Sequence, residues 1–99
     1  MLLKELYITV ERSNINSLAS MIDEDRSLIY QVDDQENTVL LHAIKMNSSL
    51  EVIKLLIMKG CDVNFKDVFG ETALHIVARI GEYEKVQLLI THFADLDIQ

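Results

Sequence analysis

Residues 34–66 and 67–99 repeat one another at a spacing of 33 positions, and that self-similarity constrains the fold more than any other feature of the chain. Asp34 lines up with Asp67, Leu41 with Leu74, His42 with His75, and Glu51 with Glu84. Further on, Leu55, Leu56 and Ile57 meet Leu88, Leu89 and Ile90, and the run Cys61 to Asn64 meets the run Ala94 to Asp97. In the later copy Gly70 supplies a turn, and Thr72 has the chemistry of an N-cap for a short helix with Ala73, Leu74, Val77 and Ala78 on one face. Gly81 stops that helix. A second helix follows, with Val86, Leu88, Leu89 and Ile90 as core positions and Glu82 and Glu84 near its positive N-terminus. Each copy is a turn followed by a helical hairpin, too thin to bury its own apolar faces, so the copies must stack.

The segment from Gly70 to Gly81 resembles the ankyrin-repeat signature Gly-x-Thr-Pro-Leu-His-x-Ala-Ala-x-x-Gly, with Ala73 in place of Pro and Val77 in place of Ala. The run Gly60 to Asn64 is similar to the family's Gly-Ala-Asp-Val-Asn, Cys61 replacing Ala. The resemblance implies an all-α fold, a solenoid of helix-turn-helix units with short β-hairpin-like turns. It implies one domain over residues 1–99, divided into a degenerate first repeat (1–33), a second (34–66) and a third (67–99).

The first repeat is expected to form one helix over Leu3 to Arg12, with Leu6 and Val10 a turn apart. A second, carrying Leu18, Met21 and Ile22, follows the break at Ser13 and Asn14. Leu6 stands 35 residues before Leu41, which suggests two inserted residues, most simply between Asp23 and Ser27. Lys4, Glu5, Glu11, Arg12, Asn14 and Asn16 would give this repeat the polar outer face of an N-terminal cap. In the second repeat, helices are expected near Leu40 to Asn47 and Ser49 to Lys59. At the 33-residue spacing, Asn37 stands for the signature Gly, Val39 for Thr, Lys45 for Ala, and Ser48 for the second Gly. Asn37 tolerates positive φ, so the turn survives; Lys45 must snorkel or pair; Ser48 and Ser49 can cap the second helix. Phe93 occupies the helix-ending Gly position of the third repeat, at a cost of about 1 kcal/mol if left-handed. Leu89, Ile90, Phe93 and Leu96 would then line an uncapped end, continued by further repeats or covered by a second chain, self-association included.

A domain of 99 residues buries only about 60 to 70% of its unfolded surface, so modest stability is expected. With 16 acidic against 9 basic residues and a net charge of −7, the chain lacks the basic face that nucleic acid or an anionic membrane would need. Another protein with a neutral or basic surface remains the expected partner. The single Cys61 suits a reducing compartment, the charged N-terminal run lacks a signal-peptide core, and no apolar stretch approaches a membrane span. A cytoplasmic or otherwise intracellular location is expected, a host cytosol included for a microbial or viral product. The acidic stretch from Asp23 to Glu36 reads either as solvated loop and turn or as a steering patch for a basic segment.

His42 and His75 invite a metal-binding reading, but one per repeat places them roughly 10 Å apart at ordinary helix-packing distances. Zinc ligands lie about 2 Å from their metal. By resemblance, these histidines are structural and bond the backbone of a neighbouring repeat. His92, late in the last helix, suits the negative helix end and is assigned no function. By resemblance, Cys61 takes the family's small buried Ala position, which favours packing over redox chemistry. Asp62, Asn64, Asp95 and Asp97 read as turn residues, since the Gly and closing Glu of a calcium loop are lacking. Three scattered glycines provide no phosphate cradle, and no catalytic set emerges, so neither enzyme activity nor a cofactor is expected.

What remains is a binding surface. The resemblance places Gln35, Glu36, Thr38, Met46 and Asn47 of the second repeat, and Val68, Phe69, Glu71, Arg79 and Ile80 of the third, along a continuous concave groove. Val68, Phe69 and Ile80 around Arg79 have the composition of a hot spot. The alternative is that they pack beneath another hairpin. As a whole, the chain reads as a non-catalytic protein-interaction module or adaptor. Two alternatives stay open: the structural N-terminal repeats of a longer protein, or a microbial or viral mimic of host ankyrin proteins.

Overall fold

The computed structural model describes residues 3–91. Six α-helices form three hairpins: α1 (Leu3–Glu11) with α2 (Ile15–Glu24), α3 (Val39–Lys45) with α4 (Leu50–Met58), and α5 (Ala73–Ile80) with α6 (Tyr83–Thr91). A short 3-10 helix, Arg26–Tyr30, links the first hairpin to the second. The first helices pack in one row, α1 on α3 on α5, and the second helices α2, α4 and α6 in another. The described residues contain no strand. Fully buried Leu6, Leu18, Ile22, Leu40, Ile53, Leu56, Ile76 and Leu89 run through all three hairpins as one core, so no hairpin owns its hydrophobic centre.

Four of the helices, α2 to α5, start where a short polar side chain satisfies a free N–H. Asn14 accepts from Ser17 N at 3.1 Å, Thr38 from Leu41 N at 3.3 Å, Ser49 from Val52 N at 3.4 Å, and Thr72 from His75 N at 3.4 Å. The expected caps Thr72 and Ser49 are thus in place, and Gly81, at φ 86°, ends α5 as anticipated. Lys4, Glu5, Glu11, Arg12, Asn14 and Asn16 are all exposed, as the polar face of a terminal repeat requires.

The hairpin turns correct the 33-residue register. Asp33 N donates to Asn37 O at 3.1 Å, and Glu36 N to Asp33 O at 3.0 Å; Asp67 N donates to Glu71 O at 3.0 Å, and Gly70 N to Asp67 O at 2.9 Å. The Asp33 carboxylate accepts from Gln35 N and Asn37 N, and the Asp67 carboxylate from Phe69 N and Glu71 N, all at 2.9 Å. These equivalences, like those of the caps Thr38 and Thr72 and of the left-handed Asn47 and Gly81, are spaced 34 apart. The spacing returns to 33 at the second helices, whose opening carbonyls are Ser49 and Glu82. The difference is one extra residue in the loop before α4, where buried Ser48 is accommodated.

Consequently Glu36, not Asn37, stands where Gly70 does, Thr38 matches Thr72, Ile44 matches Ala78, and Asn47 matches Gly81. Lys45 corresponds to Arg79. Nor are the two histidines equivalent, since Leu41 holds the place of His75. The first repeat joins at the same spacing, Ser13 (φ 55°) standing 34 before Asn47 (φ 55°).

Glu36 carries a β-carbon at φ 61°, where its counterpart is Gly70 at φ 78°. Glu36→Gly is expected to relieve about 1 kcal/mol of backbone strain. Calorimetry should then show a Tm higher by roughly 4 to 8 °C, the response of a domain this small.

Burial alone would raise the Asp33 and Asp67 carboxyls, but the turn N–H groups, with the Lys45 ammonium at Asp67, outweigh it and hold both below the usual carboxylate range. A folded value below the unfolded one, about 3.9, means stability present at neutral pH and lost on acidification through the folded value. Melting curves are expected to stay level from about pH 8 to 5 and fall steeply below about pH 4. Asp67→Asn should flatten that acid limb.

Candidate functional site

Two hairpin tips meet at one edge of the stack, where Val68 N donates to Gln35 O at 3.2 Å. Beyond this bond the third tip is held by its own Asp67 turn, so the backbone under Val68 and Phe69 is fixed while their side chains stand 52% and 74% exposed. Lys45 reaches across from α3. Its Nζ lies 2.7 Å from both Asn37 Oδ1 and Asp67 Oδ2, and 5.9 Å from the centre of the Phe69 ring. The demand that Lys45 find a partner is met by the next repeat's turn, whose Asp67 side chain has no contact with solvent although it lies near the rim of the protein. One ammonium therefore ties the second repeat to the third and faces an exposed aromatic ring.

On α5, Arg79 donates to Glu71, linking the helix to its own tip. Ile80, 47% exposed, ends that helix, and Met46, 51% exposed, holds the same position after α3. Gln35 with Val68 at the tips, Phe69 with Lys45, and Glu71 with Arg79 are thus brought together. Three other groove positions are engaged in backbone structure: Thr38 is a buried cap, Glu36 forms the turn, and Asn47 terminates its helix. Asn47 Oδ1 also accepts from Lys85 Nζ at 2.6 Å. Lys85 was not anticipated, although a lysine four residues before core Leu89 on the buried face of α6 has to find a partner.

The histidines take unrelated roles. His75 Nδ1 accepts from Thr72 N at 3.1 Å, closing a capping box inside its own repeat, and among the described residues its ring bonds no neighbouring repeat's backbone. His42 stacks on Tyr7 with ring centres 4.3 Å apart and places Nε2 3.3 Å from Glu11 Oε2. Cys61 is buried; desolvation first, and then the Asp62 charge, push its thiol up to about 12, leaving a neutral packing group. Among the described residues no cluster of three or more His, Cys, Asp or Glu could hold a metal ion, and no helix is long and apolar enough to cross a membrane. His92, Phe93, Asp95, Leu96 and Asp97 lie outside the described residues. The acidic stretch is built into the fold: Asp23 pairs with Lys59 at 2.8 Å, Asp25 caps the 3-10 helix, and Asp33 anchors a turn.

A second concavity, a cleft of about 640 Å³, opens between α1, the turn at 32–35 and His42. Leu3, Tyr7, Ile8 and Val32 form its apolar walls, with Glu11, Asp33 and Asp34 among its polar ones. Apart from Gln35, these residues were absent from the expected groove.

A profile described as "Ankyrin repeats (3 copies)" matches residues 6–99. The chain is 40% identical over 57 residues to protein phosphatase 1 regulatory subunit 12A of Mus musculus, covering 58% of this chain and 6% of that protein. It is 31% identical over 96 residues to palmitoyltransferase AKR1 of Lachancea kluyveri, covering 95% of this chain and 13% of the relative. With the Notch-regulated ankyrin repeat-containing protein of Xenopus tropicalis it shares 31% identity over 84 residues, 83% of this chain and 74% of that one.

Proposed function

Because this chain belongs to the ankyrin-repeat family, we propose that it is a non-catalytic protein-recognition module, gripping a neutral or basic partner along the tips and first helices. The observation that carries this reading is the exposed set Val68, Phe69 and Ile80 beside Arg79, raised on a backbone that hydrogen bonds already hold. Large apolar side chains at such exposed positions contribute little to this fold and much to an interface. The net charge of −7 supports the choice of partner surface and weighs against nucleic acid or an anionic membrane, and the single cysteine suits an intracellular setting.

Affinity capture with the chain as bait, repeated with Phe69→Ala plus Ile80→Ser, tests the proposal. Loss of the partner with helical content intact supports it. Capture at full strength would place the site elsewhere, and unfolding would make these residues core. A second reading, that the repeats serve a larger protein, is favoured by the match to palmitoyltransferase AKR1, which covers nearly all of this chain and little of that relative. Self-association through the α5–α6 end, where Ile90 is exposed, is tested by sedimentation.

A further inference from the structure

At the turn edge of the joint between the second and third repeats, a cation meets a carboxylate: Lys45 Nζ sits 2.7 Å from Asp67 Oδ2. In the 34-residue register, the same place on the first repeat belongs to Glu11, and the same turn carboxylate is Asp33. The charge at that joint is therefore reversed. Among the described residues, Asp33 Oδ2 receives the Asn37 side-chain amide, at 3.2 Å, with the His42 ring acting on this carboxylate electrostatically, where Asp67 Oδ2 receives an ammonium. Glu11, Asp33 and Asp34 all line the cleft, and among the described residues the side-chain partner of Glu11 is the His42 ring, at 3.3 Å. Lys4 also lines the cleft, yet among the described residues it forms no ion pair with these carboxylates. Beneath them lie the walls of Leu3, Tyr7, Ile8 and Val32, with Tyr7 anchored by donating its hydroxyl to Asn37 O.

We propose that this cleft seats an arginine or lysine side chain of the partner polypeptide, which supplies from outside the cation that Lys45 supplies at the next joint. Its methylene stem lies on the apolar walls, and its charged head meets Glu11 and Asp34, with Asp33 behind them. The charge complementarity is specific to this end of the stack, because the third tip already has its cation in Lys45. The inference rests on the reading of the chain as a protein-recognition module and adds a second contact point, distinct from Phe69 and Ile80.

The test is an NMR titration of the whole chain with N-acetyl-arginine amide, run against N-acetyl-citrulline amide, the uncharged analogue. No partner protein is needed, so its result is independent of whether the Phe69 and Ile80 variant loses capture. The arginine compound is expected to shift resonances of α1, of residues 33–35 and of His42, and the citrulline compound to bind at least tenfold more weakly. Glu11→Lys, which places an ammonium where Lys45 stands in the next repeat, is expected to weaken the arginine response at least tenfold. Asp34→Asn, at an exposed turn position, provides a second variant with the same direction of effect. Equal response to both compounds, an unchanged response in the two variants, or shifts centred on Asp23 to Asp25 would overturn the proposal. Tighter binding of spermidine than of the arginine compound would reassign the cleft to a free polyamine.

Discussion

Phe69→Ala with Ile80→Ser is expected to weaken partner binding at least a hundredfold while leaving the circular dichroism spectrum unchanged. Central aromatic anchors cost about 2 kcal/mol or more each when truncated, and about 1.4 kcal/mol corresponds to a factor of ten in Kd. Phe69 is 74% exposed and Ile80 47%, so the unbound fold loses little packing when they shrink. The Lys45 contact with the Phe69 ring is the one intramolecular interaction at risk, worth about 0.5 to 1 kcal/mol at an exposed site. Isothermal titration with the captured partner, paired with thermal melts, separates the two effects. A drop in Tm matching the loss in affinity would mean that the interface was never the cause.

Leu56→Ala should have the opposite signature, with stability lost first and binding only as a consequence. Leu56 is fully buried on α4, and α4 packs against α2, α3 and α6. Leu-to-Ala changes at such positions cost about 2 to 5 kcal/mol, because neighbouring side chains only partly collapse into the space. Against a total of roughly 5 to 15 kcal/mol for a small domain, that is a large share. A fall in Tm of roughly 10 °C or more is expected. The transition should remain single, since the central hairpin contributes to both interfaces of the stack. Two separate transitions would show that the outer hairpins hold without it.

The fold was legible because the physical demands of each hairpin are written locally. Thr72 as a cap and Gly81 as a stop follow from side-chain chemistry within a few residues, whereas the partner expected for Lys45 was drawn from a register that laid it opposite Ala78 instead of Arg79, and the burial of Cys61 from its likeness to the family's Ala. The register of the second repeat was not legible. Leu40 and Leu41 are adjacent and equally apolar, so either can be laid opposite Leu74, and the pattern hardly changes when the alignment slides by one. A one-residue insertion at Ser48 costs a loop little free energy and leaves no compositional trace. Only the carboxylate turns of Asp33 and Asp67, with the left-handed Asn47 and Gly81, decide the matter. The candidate site was legible in part for the same reason. Phe69, Arg79 and Ile80 are visible as surplus apolar and cationic groups, whereas the structural roles of Asn47 and Lys85 depend on a contact 38 positions long. The stacking of Tyr7 on His42 and the acidic character of the first joint likewise emerge only once the layers are assembled.

The tip that carries Phe69 is cross-braced before any partner arrives, through the Asp67 turn, the Val68 to Gln35 bond and the Lys45 bridge. On the proposed reading, a partner docking there would meet a stiff platform with only side-chain rotamers left to settle, so association would forfeit little chain freedom on this side. Recognition at such a surface rewards ligands already shaped to fit, and it discriminates by contour more than by mutual adjustment.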